Sequence, residues 1–278
     1  MSQSKYGAVV DAEPLETSGP TPWQKLASRT YQHRVESGRI SATWVAERLP
    51  AYDSLLELLG SSSMPAIKSV VSTRNPMSHS RLVSFLREDF NLFRRRVGLH
   101  GRCRVAVIMP NGPELSTALL ATITHCTCVP INPAATADEI TGELFNAGVE
   151  ALLAQYGEHS ALVSTIAKEL GIPLIELFPN RTESASFSLI DPFSFEEVQT
   201  KAELESTPAK LTRPEDIALV LHTSGTTGNK KLVPILLRDL VLGALCITAS
   251  CNLLASDVCC NTMPLYHVGG ICRNLLSP

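Results

Sequence analysis

The order of apolar and polar positions sorts most of this chain into strands and helices. Arg104 to Met109 is apolar after its first residue, as a strand buried on both faces requires. Pro110-Asn111-Gly112-Pro113 breaks it as a turn, and Glu114 to about His125 reads as a helix. A second strand follows from Cys128 to Ile131 and ends at Asn132-Pro133. Thr136-Ala137-Asp138-Glu139 then has capping-box spacing and opens a helix to about Ala147. Ala151 to Ala154, Ser160 to Leu170 and Pro173 to Phe178 continue as strand, helix and strand. Upstream, Leu82, Leu86, Phe90, Phe93 and Val97 recur at helical spacing, with Gly98 where a helix ends. Arg94, Arg95 and Arg96 fall in the last turn, complementing the helix dipole. This repeated alternation predicts an α/β fold: a mostly parallel sheet with helices on both faces.

The ends are less regular. Residues 1–65 form a poorly defined segment with helical stretches at Gln32 to Leu49 and Tyr52 to Leu59, and the first twenty residues read as disordered. Residues 66–180 read as a first α/β subdomain. In 181–215 periodicity fades and Ser, Thr, Glu and Pro rise, which marks a surface connection where only Phe187 to Ile190 hints at a strand. Residues 216–278 begin a second α/β subdomain: a strand at Ile217 to Leu221, a helix from Pro234 to about Cys251, and a strand at Asp257 to Thr262.

Between strand and helix lies Thr223-Ser224-Gly225-Thr226-Thr227-Gly228-Asn229-Lys230-Lys231, small and polar residues followed by two lysines. Gly and Thr let successive backbone N–H groups turn toward one anion, the hydroxyls add donors, and a lysine adds a compact positive charge. The segment suits the gripping of phosphate. It is not the common P-loop, because Lys230 stands where that pattern needs its second glycine. The competing reading is a solvated turn, although turns seldom need two threonines between glycines and a lysine pair afterwards.

From Thr223 to Gly228, and again at Lys231, the segment resembles the Thr/Ser-Ser-Gly-Thr-Thr-Gly-x-Pro-Lys signature of the adenylate-forming enzymes. That family includes acyl-CoA synthetases, the adenylation domains of peptide synthetases and luciferases. Lys230 departs from the signature by replacing its proline. Val105 to Glu114, and Val129 to Pro133 followed by Glu139, resemble scaffold blocks of the same family. Pro264-Leu265-Tyr266-His267-Val268-Gly269-Gly270 resembles its Pro-Leu-Phe/Tyr-His-x-x-Gly stretch on the acyl side of the active site. Taken alone, one histidine after an apolar strand is more often structural than catalytic; the resemblance places His267 near the substrate carboxylate. His222, just before the loop, is expected to touch the nucleotide or simply to pack.

The resemblance implies a two-step reaction in which a carboxylate attacks the α-phosphate of ATP and a thiol then takes the acyl group. It implies ATP and Mg2+, a small or fatty carboxylic acid, and CoA or the phosphopantetheine of a carrier protein as acceptor. Thr223, Ser224, Gly225, Thr226, Thr227, Gly228 and Lys231 would hold the departing phosphates, with Lys231 and His267 as the catalytic residues. The likeness runs from about Pro76 to Pro278 and implies a truncated N-terminal part of the family's large domain, without the later segments that hold adenine and ribose. The expectation is exposed apolar surface and little or no ligase activity from this chain alone. The alternative is an inactive truncated isoform or pseudoenzyme that acts through binding.

Composition narrows the rest. Hydrophobic residues make up 44% and the formal net charge is −3, so no basic surface argues for nucleic acid or an anionic membrane as partner. Residues 1–20 lack the basic and apolar stretches of a signal peptide, and no apolar run reaches the ~18 residues of a transmembrane span. The expected location is intracellular and cytoplasmic, with a peroxisomal address left open. The eight cysteines lack paired C-x2-C spacing and are expected to be reduced and mostly buried, with no metal ligand among them.

Overall fold

The computed structural model describes residues 22–70, 73–91, 99, 102–157, 160–190, 210–223 and 230–278. Helix α1 spans Pro22–Ser37 and α2 spans Ala42–Ala46. The continuous helix expected over Gln32 to Leu49 is therefore split. Gly38, at φ +75°, takes the left-handed conformation that ends a helix, and its amide returns to the Arg34 carbonyl at 2.8 Å. Ser41 then caps α2 by accepting from the Trp44 amide. The helix expected from Tyr52 to Leu59 shrinks to one 3-10 turn at Leu55–Glu57.

A small antiparallel pair, β1 (Pro65–Ile67) and β2 (Met77–Ser78), leads into α3 (His79–Ser84), which widens into a π-type turn at Phe85–Asp89. Leu82, Leu86 and Phe90 are buried there as their spacing predicts. Phe93, Val97, Gly98 and the arginines 94–96 lie outside the described residues, as do the first twenty-one.

The central sheet is built from β3 (Arg104–Ile108), β4 (Thr127–Ile131), β5 (Ala151–Gln155), β6 (Leu174–Pro179), β7 (Phe187–Ile190), β8 (Ile217–His222) and β9 (Leu232–Leu236). Its spatial order is β7-β6-β5-β3-β4-β8-β9. The five inner strands run parallel, and β7 and β9 close the two edges antiparallel. The predicted mostly parallel sheet is thus present, and the faint strand pattern at Phe187 to Ile190 is its edge.

Helices α4 (Pro113–His125), α5 (Ala137–Ala147), α6 (Ser160–Leu170) and α7 (Leu237–Cys251) cover the sheet. Two-residue periodicity divides the core between the two faces. Val105, Val107, Ala151 and Leu153 pack with Leu115 and Leu119 of α4 and Leu237 and Leu240 of α7. Ala106, Ile108, Leu152 and Ala154 pack with Ile140 and Leu144 of α5 and Val163 and Ile166 of α6. Burying one such Leu or Ile stabilises the fold by about 1.5–3 kcal/mol. Thr136 and Glu139 form the reciprocal capping box expected at the start of α5. Gly148, in the left-handed conformation, ends that helix. The buried Glu114 carboxylate at the start of α4 meets Arg74 at 2.6 Å and accepts from the Ala185 amide, tying the hairpin region to the sheet.

Two further expectations change. Leu232–Leu236 is a strand, so the helix begins at Leu237 rather than at Pro234. Pro234 fits because β9 is an edge strand, where a missing N–H costs no ladder bond. Asp257 to Thr262, expected as a strand, is irregular. Apolar composition alone does not make a strand: no neighbouring strand pairs with it among the described residues, and Val258 is left 94% exposed. The cysteines also depart from expectation. Cys103, Cys126, Cys128 and Cys272 are buried, but Cys251, Cys259 and Cys260 are exposed. Burial pushes the thiols of Cys128, Cys246 and Cys272 up, which keeps them protonated and inert.

Candidate functional site

Three neighbouring strands, β3, β4 and β8, deliver their carboxyl ends to the same edge of the sheet. The chain leaves β3 through α4 on one face and β4 through α5 on the other, so a crevice opens where the connections diverge, the usual position of a ligand in such sheets. The Asn111 turn follows β3 there and the phosphate-loop candidate follows β8. With strands about 4.8 Å apart, these two segments start roughly 10 Å from each other.

The loop closes a β8–β9 hairpin. Its neck is fixed at both sides: the Thr223 amide donates to the Lys231 carbonyl at 2.9 Å, and the Lys231 amide donates to Thr223 Oγ1 at 3.1 Å. Ser224, Gly225, Thr226, Thr227 and Gly228 lie outside the described residues. The two lysines part company at the neck. Lys230 Nζ donates to Glu143 Oε1 at 2.6 Å and stands 3.8 Å from Glu139 Oε1, both on α5. The hydrogen bond to Glu143 and its charge hold the Lys230 pKa above the ordinary lysine value. Lys231 is exposed and makes no ion pair among the described residues.

His222, the last residue of β8, is packed rather than presented to solvent. Its side chain is 6% exposed, with Nδ1 3.7 Å from Glu143 Oε2, and neither ring nitrogen finds a hydrogen-bond partner among the described residues. Burial keeps its pKa below the ordinary value; Glu143 opposes that shift and Lys230 reinforces it. Glu139 is held below the usual carboxylate range chiefly by the Thr136 backbone hydrogen bond, with the Thr136 hydroxyl and Lys230 adding to it.

His267 sits in a tight turn, exposed, with its ring 4.7 Å from that of Tyr266. The His267 amide donates to the Pro264 carbonyl at 3.3 Å, and its own carbonyl accepts from Ile271 at 3.1 Å. The turn closes so tightly that a Cβ on Gly270 would lie 2.3 Å from the Pro264 carbonyl oxygen. Only glycine fits at that position.

Asn111, which the sequence reading treats as scaffold, holds this turn in place. Its Nδ2 donates to the Met263 carbonyl and its Oδ1 accepts from the Leu265 amide, both at 3.1 Å. Asn261 Oδ1 adds bonds from the Met263 amide at 3.1 Å and from Asn274 Nδ2 at 2.8 Å. The turn after the first parallel strand therefore positions the histidine segment 152 residues later. The sequence clue is an asparagine in a β–α turn, which can bond backbone groups in both directions.

The pattern of the AMP-binding enzyme family matches residues 90–278. The chain is 29% identical over 211 residues to an oxalate–CoA ligase of Arabidopsis thaliana, covering 74% of this chain and 39% of the relative. It is 31% identical over 187 residues to an oxalate–CoA ligase of Saccharomyces cerevisiae, covering 62% of this chain and 34% of the relative. It therefore spans less than two-fifths of the length of these relatives. Its fold is similar to that of ATP-bound MatB from Rhodopseudomonas palustris, with TM-score 0.63 and 21% identity over 81% of this chain and 43% of that one. It is also similar to o-succinylbenzoate coenzyme A synthetase from Bacillus subtilis in complex with ATP and magnesium ion, with TM-score 0.55 and 14% identity over 73% and 48% of the two chains.

Proposed function

Because the chain belongs to the AMP-binding enzyme family, we propose that it forms the phosphate-gripping part of an ATP-dependent carboxylate–thiol ligase. A carboxylate oxygen attacks the α-phosphorus of ATP, the bond from that phosphorus to the bridging oxygen breaks, and pyrophosphate leaves. The thiolate of CoA then attacks the acyl carbon, and AMP leaves. The first step crowds negative charge, so the protein's contribution is positioning and electrostatic stabilisation.

The observation that carries this reading is the hairpin neck at the carboxyl end of β8. It closes a Gly/Thr loop between Thr223 and Lys231 and leaves Lys231 exposed, with no ion pair among the described residues, while Lys230 is engaged by Glu143. Thr223 and Lys231 are assigned to the β and γ phosphates, and Ser224 to Gly228 supply further donors by their residue types. His267 is assigned to steering the substrate carboxylate. Among the described residues no group of three carboxylate, histidine or cysteine side chains could by itself hold a metal. Bound to the phosphates, Mg2+ would neutralise part of their charge.

Relatives named as oxalate–CoA and sulfoacetate–CoA ligases support a small carboxylic acid as substrate and CoA as acceptor. No helix among the described residues is long and apolar enough to cross a membrane.

Titration calorimetry of the 278-residue chain with MgATP tests the phosphate assignment. Saturable binding is expected, weakened about 10- to 100-fold by Lys231→Ala, the usual worth of a hydrogen bond to a charged group. No binding by the unaltered chain, or an unchanged affinity in the Lys231→Ala variant, would overturn it.

A further inference from the structure

We propose that Glu143 is a positioning residue that clasps both ends of the 223–231 loop, engaging Lys230 and His222 so that Lys231 alone serves as the loop's cation for phosphate. The inference rests on the ATP-binding reading for its functional side and on geometry alone for its structural side.

The carboxylate of Glu143 projects from α5 and its side chain is 11% exposed. A carboxylate so far removed from water needs a compensating charge, because an unpaired buried charge is strongly destabilising. Lys230 supplies it at 2.6 Å, from the last loop residue before the neck closes. The second oxygen faces His222 at 3.7 Å, on the residue just before the loop. One side chain thus hydrogen-bonds one flank of the hairpin and lies against the other, from a helix packed on the sheet.

Adjacent residues of an extended chain point to opposite sides. Lys230 is turned toward α5, whereas Lys231 is exposed and makes no ion pair with α5 among the described residues. Among the described residues, the other acidic group within reach of Lys230 is Glu139, at 3.8 Å. With Glu143 at 2.6 Å, Lys230 is surrounded by anions of the protein, a poor setting in which to receive a third anion from a ligand. The paired lysines of the sequence divide into one structural and one functional residue.

The test uses Glu143→Gln, Lys230→Met, Lys230→Arg and the Glu143→Gln/Lys230→Met double variant of the full 278-residue chain. Hydrogen exchange of the Thr223 and Lys231 amides reads the neck directly. Glu143→Gln and Lys230→Met should each speed that exchange about tenfold or more, while Lys230→Arg, which keeps the charge, restores protection. Amides of the β3–β5 ladder should stay protected, which separates loosening of the loop from general unfolding. If Glu143→Gln does not fold, Lys230→Met carries the measurement, since that side chain is 35% exposed.

MgATP affinity gives the second reading. The two single variants should weaken it by similar factors, the double variant should be no weaker than either, and Lys231→Ala should multiply with both. Unchanged exchange at the neck would overturn the clasp, as would multiplying effects of Glu143→Gln and Lys230→Met. So would loss of ATP binding in Lys230→Met alone with Glu143→Gln neutral. If the unaltered chain binds no MgATP, the function reading falls while the exchange measurement still decides the clasp.

Discussion

Gly270→Ala probes the turn that carries His267. A Cβ there would lie 2.3 Å from the Pro264 carbonyl oxygen, 2.9 Å from its carbonyl carbon and 3.1 Å from Leu265 Cα. The first contact is more than 1 Å short of the ~3.5 Å at which such atoms attract. All three neighbours are backbone, so no side chain can swing aside and the 264–265 segment must move. Overpacking of this kind costs about 1–3 kcal/mol. Moving the segment also strains the two bonds from Asn111, worth about 1–2 kcal/mol together. The total is about 2–5 kcal/mol, and in a chain of this size each kcal/mol lowers Tm by roughly 2–4 °C. A thermal melt should therefore show a fall of about 4–20 °C. If the turn yields locally instead, the Leu265 amide, held by Asn111, should lose its exchange protection while the sheet keeps its own. Gly142→Ala is the control: it lies inside α5 with nothing within 4 Å of the new methyl, and it should stabilise by about 0.5–1 kcal/mol. A Gly270→Ala protein with a Tm within about 1 °C of the unaltered chain and an intact Leu265 amide would refute the reasoning.

Asn111→Ala should release the same turn by removing both bonds, with a loss of about 1–2 kcal/mol in urea denaturation, and Asn111→Asp, which keeps the acceptor, should recover part of it. Stability should also fall with acid. Burial holds the pKa values of His222 and His79 below the ordinary histidine value, so below about pH 6.5 the unfolded chain takes up protons that the folded chain refuses. The urea midpoint is expected to decline between about pH 6.5 and 5.5, above the carboxylate range, and His222→Asn should flatten that slope; a midpoint constant across the interval would contradict the burial argument.

The α/β architecture was legible because each inner strand is a short apolar run punctuated by turn residues, and because Thr136 and Glu139 announce a helix start chemically. Pairing was less legible. Leu232 to Leu236 reads as well as the start of a helix as it does as an edge strand, since only the hairpin neck at Thr223 and Lys231 decides between them. Asp257 to Thr262 reads as a strand from its residues, but strandness depends on a neighbour that periodicity does not reveal. The division of labour between Lys230 and Lys231 was equally hidden, because it depends on Glu143, 87 residues upstream. Gly270 could be recognised by its place in a motif, whereas the backbone approach that demands glycine is visible only in three dimensions.

The junction between β4 and β8 has a kinetic consequence. It is registered at Cys128↔Leu219, with the Thr127 hydroxyl donating to the Ile217 carbonyl beside it, and Pro130 brings no amide to the ladder further along. Strands β3 to β6 can assemble from neighbours close in sequence, but this junction must first close about ninety residues of intervening chain, at an entropic cost on the order of 4 kcal/mol. Contacts of that span form late and slowly. The β8–β9 hairpin, and with it the loop that carries the candidate chemistry, is thus set to join the sheet after its other strands, onto a parallel core already standing.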